Sequence, residues 1–486
     1  MDLTRSGPTA PRERRRHAAT ARVAGLRLLL ASLSLVAAAC SSPEGNAADA
    51  ARVADGSDPD GVCASGSTGH RVGCEYLVTF YPRWFGYQQL RMVPPNAFLG
   101  PDTVGPAFQG VVAVNVDTLY ATASVDLTRG PVIVTVPTTT TVFSVMTMDQ
   151  FGQSLPGIPG GAPGVYALTP PGWSGTLPAG ATAVALPLER AIMIVRADRY
   201  SVTGGDMRDA AAQFRSGLHI ATLSRYETDP TSGAATIVAD SLFSPSFKVR
   251  ADQLLTTAPM DFLTQLQSAV RASTTQPLTP DQQSLAAAFD AAFADPADVV
   301  EGAVAGYAAL LHNYEGHTVA GSSWIRFDDI ATWDDTLHDR LDRASITEYL
   351  QYGNARESAA YYHAFRDGRG QPLDASASAY QVRFAPGGLP DVGRFWSLTA
   401  YTPDAIELVP NSAGTYAVAS YTPGLVTDAD GSVTITMSTA LPSGVPTSNW
   451  LPVPSGPFNV VLRAYAPQGA TLDGSYAPPT LLPAAL

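Results

Sequence analysis

Apolar and polar positions divide the chain into two strand-rich blocks around a helical middle. In residues 106–200 the runs VVAVNVDTLYATASVDL, PVIVTVP, TVFSVMTMD, ATAVALP and AIMIVRAD are β-branched and separated by Pro/Gly turns. Several alternate with period two, the pattern of half-buried antiparallel strands. Residues 206–366 change period. DMRDAAAQFRSGLHIATLSRY, TPDQQSLAAAFDAAF, ADVVEGAVAGYAALLHNY and ASITEYLQYGNARESAAYYHAF read as helices. The second of these opens with Thr279 as N-cap, Pro280 at the first helical position and Gln282 as the capping-box partner. From Asp367 to Leu486 the strand pattern returns, densest between Tyr380 and Pro467, with Asp430-Gly431 as a hairpin turn. Ahead of the first block, Glu75–Val93 predicts an aromatic amphipathic helix broken at Pro82, with Tyr81, Trp84 and Tyr87 in the core.

The two strand blocks echo each other. VTVPTTTTVFSVMTMDQ parallels VRFAPGGLPDVGRFWSLTAYTPD, and GWSGTLPAGATAVALPLERAIMIVRAD parallels NWLPVPSGPFNVVLRAYAP. The shared order predicts a duplication. The expected fold is α+β: two antiparallel β-sandwich (jelly-roll-like) domains, at 75–205 and 367–486, with a helical region at 206–366 between them. A cleft between two similar sandwiches is a usual place for a ligand.

Residues 1–39 read as a signal peptide to be set apart from the fold. Seven arginines precede the apolar run Leu28–Ala39, which is shorter than the about 20 residues of a spanning helix. The run ends Ala37-Ala38-Ala39-Cys40, like the lipobox of bacterial lipoproteins. Cys40 is then either the lipidated mature N-terminus or incidental to ordinary cleavage. The lipidated reading gives an exported protein anchored to the outer face of a membrane, with residues 40–74 as tether and disulfide loop. Cys63 and Cys74 form a disulfide on this reading; a metal or redox pair would lack the C-x-x-C spacing.

Removing 1–39 takes the formal charge from −13 to −18, because the segment carries seven Arg against Asp2 and Glu13. So acidic a body argues against nucleic acid. Lys248 is the one lysine, so a Schiff-base mechanism has a single candidate.

The motifs N-V-D-T-L-Y (Asn115–Tyr120), P-G-W-S-G-T-L-P (Pro171–Pro178) and the strand ending at Arg196 resemble a bacterial domain of unknown function numbered 1254. D-G-R-G-Q-P-L-D (Asp367–Asp374), Y-Q-V-R-F, F-W-S-L-T-A-Y, D-G-S-V-T-I and N-W-L-P-V-P-S-G-P-F resemble its usual partner, domain 1214. The resemblance covers roughly residues 75–480. It implies β-sandwich-like domains plus helices and no agreed activity. Where the family carries Asn-Pro…Arg-Tyr, this chain has Pro410-Asn411…Thr415-Tyr416, so that arginine is absent.

Common chemistries find little purchase. There is no G-x-S-x-G elbow and no H-E-x-x-H; His312 and His317 are spaced by five, which does not stack two ligands on one helical face. No cofactor or metal is expected. What remains is Asn115, Asp117 and Tyr120. A buried Asp117 needs a partner, with Arg383 or Arg463 as the choices. It is either a structural carboxylate or a site carboxylate, and in the second case Trp396 and Trp450 offer stacking surface. Two classes of function follow: an envelope protein that binds a small molecule or glycan in the cleft, or an extracytoplasmic hydrolase or lyase with Asp117 in acid–base chemistry.

Overall fold

The computed structural model describes residues 59–333 and 336–484. The leader (1–39), Cys40 and the tether as far as residue 58 lie outside them.

The helical region is built on α1, Thr68–Met92. The Ser67 side chain caps it by accepting from the His70 backbone N–H. The helix thus begins inside the stretch read as a tether, and it runs through Pro82 instead of breaking there. Packing explains this. Tyr76, Phe80, Tyr81, Trp84 and Phe85 are at most 1% exposed, and their burial outweighs the one backbone hydrogen bond that proline removes. The disulfide Cys63–Cys74 ties the preceding segment to α1.

Around α1 lie α2 (Phe247–Thr257), α3 (Pro259–Arg271), α4 (Pro280–Ala292), α5 (Pro296–Gly316) and α6 (Leu337–Tyr349). The capping box at Thr279 and Gln282 forms as expected. α5 crosses α1 at glycines. A Cβ at Gly302 would sit 1.9 Å from the His70 carbonyl oxygen, and one at Gly73 would sit 2.1 Å from that of Val299. Lys248 on α2 is buried against Glu348 on α6 and bonds Asp252 at 2.9 Å.

The first strand block forms two sheets. β1 (Phe98–Pro101), β2 (Thr118–Asp126), β4 (Phe143–Met148), β7 (Arg190–Asp198) and β9 (Thr236–Val238) line up as β4-β7-β2-β1-β9. β3 (Val132–Val136), β5 (Gly164–Thr169), β6 (Thr182–Ala185) and β8 (His219–Thr222) line up as β6-β5-β3-β8. The second block repeats the plan. β10 (Ala359–Ala364), β12 (Trp396–Tyr401), β13 (Ala417–Ala419) and β16 (Asn459–Tyr465) give β10-β16-β12-β13. β11 (Ala379–Phe384), β14 (Val433–Ser438), β15 (Trp450–Pro452) and β17 (Leu482–Ala484) give β15-β14-β11-β17.

Taking β10, β11, β12, β14, β15, β16 and β17 as counterparts of β2 through β8 reproduces both orders. Strand directions agree as well. β7 is antiparallel to β2 and β4, as β16 is to β10 and β12. β3 is antiparallel to β5 and β8, as β11 is to β14 and β17. β5–β6 and β14–β15 are parallel. The blocks therefore share one topology, with β1, β9 and β13 added. Parallel edge pairs, β1–β9 and β5–β6 in the first block and β14–β15 in the second, keep the sheets from being purely antiparallel. Tryptophans 173 and 450 are not counterparts: Trp173 precedes β6, whereas Trp450 opens β15.

The 206–366 region is not wholly helical. It holds β8 and β9, and its last strand, β10, opens the second block. Every residue of AAYYHA in β10 is buried, and an unbroken apolar run cannot be told from a buried helix by periodicity. The cause is burial on both faces. Tyr362, Leu462 and Ala464 point into the second sandwich core, while Tyr361, Val461 and Tyr465 join the first block's core cluster.

Candidate functional site

Between the first block, the second block and the helices lie two adjoining chambers. The larger encloses about 600 Å³, open solvent included, and is walled by Met92, Leu99, Phe108, Ile194, Phe243 and Phe247. The smaller, about 370 Å³ on the same measure, is polar, with Asn115, Asn354, Tyr361, Arg463 and Tyr465 in its lining. Val111, Tyr120, Arg196 and Tyr352 belong to both. The apolar room and the polar room thus share a wall.

Sheet register places two of the wall's residues in a repeated pattern. In the first block Tyr120 on β2 pairs with Arg196 on β7, which pairs with Ser144 on β4. In the second, Tyr361 on β10 pairs with Arg463 on β16, which pairs with Ser397 on β12. The counterpart strands thus carry the same Tyr-Arg-Ser row, and both arginines and both tyrosines line the polar chamber.

Residues 95–222 match the family model described as protein of unknown function DUF1254, and residues 358–469 match that described as protein of unknown function DUF1214. The chain carries both domains. The DUF1254 match spans β1–β8, and the DUF1214 match spans β10–β16, which is the second copy of the repeated topology without β17. The crystal structure of the VPA0106 protein from Vibrio parahaemolyticus is 22% identical with a TM-score of 0.55, covering 86% of this chain and 100% of that one. It shows a shared fold. A crystal structure of an uncharacterised protein from Burkholderia cenocepacia is 16% identical with a TM-score of 0.42, covering 89% of this chain and 99% of that one. No curated protein matches the chain.

The polar chamber joins the two domains through buried hydrogen bonds. Asn115 accepts from the backbone N–H of Thr118 at 3.1 Å and donates its amide to the Tyr465 hydroxyl. Asp117, 1% exposed, sits behind the chamber wall and accepts from Ser397 Oγ at 2.7 Å and from the Tyr421 hydroxyl. Burial pushes its carboxyl above the usual range, against the pull of those hydroxyls and of Arg463. Arg463 donates to the Tyr401 hydroxyl at 2.7 Å and to the carbonyl of Ala113. Arg196 donates to Asn354 Oδ1 at 3.0 Å and to the Tyr352 carbonyl at 3.3 Å, with its guanidinium 5.7 Å from the Tyr120 ring centre.

Three sequence candidates fall elsewhere. Arg383 does not reach Asp117: it is half exposed and pairs with Asp428 at 2.9 Å and Asp430 at 2.5 Å. Its position alternates to the solvent face of β11, where those two carboxylates are its nearest anions. Trp396 fills the DUF1214 core beside Phe384, because the preceding residue of an alternating pair with Ser397 must face inward. Trp450 is half-buried and donates to Ser438 Oγ at 3.0 Å, holding β15 to β14. Among the described residues no three or more His, Cys, Asp or Glu gather to hold a metal.

The structure adds Arg196, Tyr352, Asn354 and Tyr361 to the candidates. Arg196 had a signal: an arginine in the apolar run AIMIVRAD, at the place matched by Arg463 in VVLRAYAP. Tyr352 and Asn354 had none, since they lie in a loop placed only by tertiary packing.

Proposed function

We propose that the chain binds a small molecule in the two-roomed cavity that its DUF1254 domain forms with the helical region and, at the polar room, with the DUF1214 domain, and holds it without turnover. The observation that carries this is the shared wall: one ligand can present a polar end to the arginines while its body stays in the apolar room, the usual make-up of a small-molecule site. Absence of turnover is supported by the lining. No Asp, Glu, His, Cys or Lys lines either room, and Asp117 is committed to Ser397 and Tyr421.

The test uses Nile red, a neutral dye that brightens in apolar cavities, with the full chain. Its fluorescence should rise on binding and be displaced by small amphiphiles. Thr122→Trp, which fills the apolar room from β2, should reduce the signal at least tenfold. A dye that stays dark with the wild type, or glows equally with the filled variant, defeats the reading.

We further propose that this binding takes place at the cell envelope, on a chain lipidated at Cys40. The support is the arginine-rich leader and the Ala-Ala-Ala-Cys junction. Mass spectrometry of the membrane fraction should find a diacylglyceryl mass on Cys40. An unmodified chain cleaved elsewhere and released to the medium would end that proposal.

A further inference from the structure

Resting on the cavity reading above, we propose that the ligand is a monocarboxylate whose single carboxylate is held by Arg196, with Arg463 facing it from the other domain, and whose aliphatic or aromatic body lies in the apolar room.

Arg196 is 6% exposed and forms no salt bridge among the described residues. Its oxygen partners are neutral, an amide and a backbone carbonyl. A buried cation with no counter-ion is costly. Arg394, which crosses the domain junction, has Asp198 as its anion, whereas Arg463, which also crosses it, bonds only neutral oxygens. Arg83, Arg215 and Arg463 are likewise buried without a salt bridge among the described residues, and of these four only Arg196 stands on the wall between the rooms.

Charge fixes the valence of that partner. Arg196 and Arg463 supply two positive charges. Asp117 supplies one negative charge, and its two hydroxyl donors suit an ionised carboxylate. Among these buried groups one positive charge is left over, since Arg199, which also acts on Asp117, is only half-buried and acts on Asp206 as well. A carboxylate cancels it; a phosphate dianion would leave a net negative charge in the same enclosed space.

Geometry calls for an oxyanion, carboxylate or phosphate alike, and the charge count selects the carboxylate. A guanidinium carries five N–H donors in a planar fork that matches a carboxylate, and Arg196 spends two of them on protein oxygen. The Tyr361 hydroxyl accepts from the Asn354 backbone N–H at 3.1 Å and from its side-chain amide at 2.6 Å. Its own proton is therefore left to donate into the polar room. From that point the body of the ligand has one apolar direction, past Tyr120 toward Leu99, Phe108 and Ile194.

The experiment displaces Nile red from the full chain with octanoate, octan-1-ol and octyl phosphate. Octanoate should act at concentrations at least tenfold below either of the others. That preference over octanol should fall at least tenfold in Arg196→Gln. Equal potency of octanoate and octanol in the wild type, or a win for octyl phosphate, overturns the carboxylate assignment while leaving the cavity reading intact. Dye binding that none of the three displaces, or no dye binding at all, overturns both. The wild-type comparison decides the matter even if Arg196→Gln fails to fold.

Discussion

At the residue scale, buried polar groups are where sequence and structure can be held to account. His363 sits on β10 between two partners: Tyr314 hydroxyl at 2.8 Å on Nδ1 and Asn459 Oδ1 at 2.9 Å on Nε2. Asn459 donates its own amide to the Thr402 carbonyl, so its Oδ1 must accept, and His363 is neutral with the proton on Nε2. Burial lowers its pKa from 6.5 to about 3. Between those values the unfolded chain binds a proton that the folded chain refuses, so this contribution to stability is whole above pH 6.5 and falls as pH drops. At pH 4.5 the loss is about 3 kcal/mol. Asp198, whose pKa burial raises, pulls the other way, so the readout is a difference. Denaturant titrations should show the change in stability between pH 7 and pH 4.5 shifting by about 3 kcal/mol in His363→Gln relative to wild type. Asp117→Asn replaces an acceptor that two hydroxyls address and removes the negative charge beside Arg463. It should cost on the order of 3 kcal/mol in the same assay; a neutral result would mean that Asp117 does not hold the domain junction. The burial of Asp117 and Arg463 was legible in the sequence, but the partners of Asp117 were not: it bonds Ser397 and Tyr421 and neither Arg383 nor Arg463. The distinction between the two arginines was present in the letters. Arg463 interrupts VVLRAY, a run with no alternation, whereas Arg383 occupies a polar slot of YQVRF and has Asp428 and Asp430 to meet.

Elements raise a different question, how closely backbones approach. α1 and α5 meet at Gly73 and Gly302, where an added methyl would collide with backbone carbonyls that cannot swing aside. Gly302→Ala should therefore destabilise by about 3 kcal/mol, the upper range for overpacking. Gly316→Ala at the end of the same helix meets nothing within 4 Å and should be neutral or gain a few tenths of a kcal/mol from helix propensity. Thermal melts of the two variants side by side check the contrast. The repeated strand plan was readable because Pro/Gly turns punctuate both copies and leave Val134 and Val382, or Arg196 and Arg463, at matching places. β10 was not readable, since its sequence carries no period once both faces are covered. Pro82 misled for a related reason: local rules end a helix there, and a shell of buried aromatics overrules them.

For the whole molecule, the junction matters more than either half. Asn115–Tyr465, Asp117–Ser397 and Asp198–Arg394 all join the DUF1254 domain to the DUF1214 domain, and the outer face of the β10-β16-β12 sheet lies in the first domain's core cluster. Calorimetry should therefore record one unfolding transition for residues 59–484; two resolved transitions would show the domains to be independent. No local window of sequence contains this junction, because its partners stand hundreds of positions apart. The buried Lys248 has a practical sequel. With the chain's one ε-amine locked between Glu348 and Asp252, arginine is the sole side-chain cation at the surface. Acylating reagents and aldehyde cross-linkers directed at lysine have no target on the folded body. A single acylation at position 248, told apart by peptide mapping from any on the N-terminal α-amine, then reports that α2 has come away from α6, giving a clock for opening of the helical region with no background from another lysine.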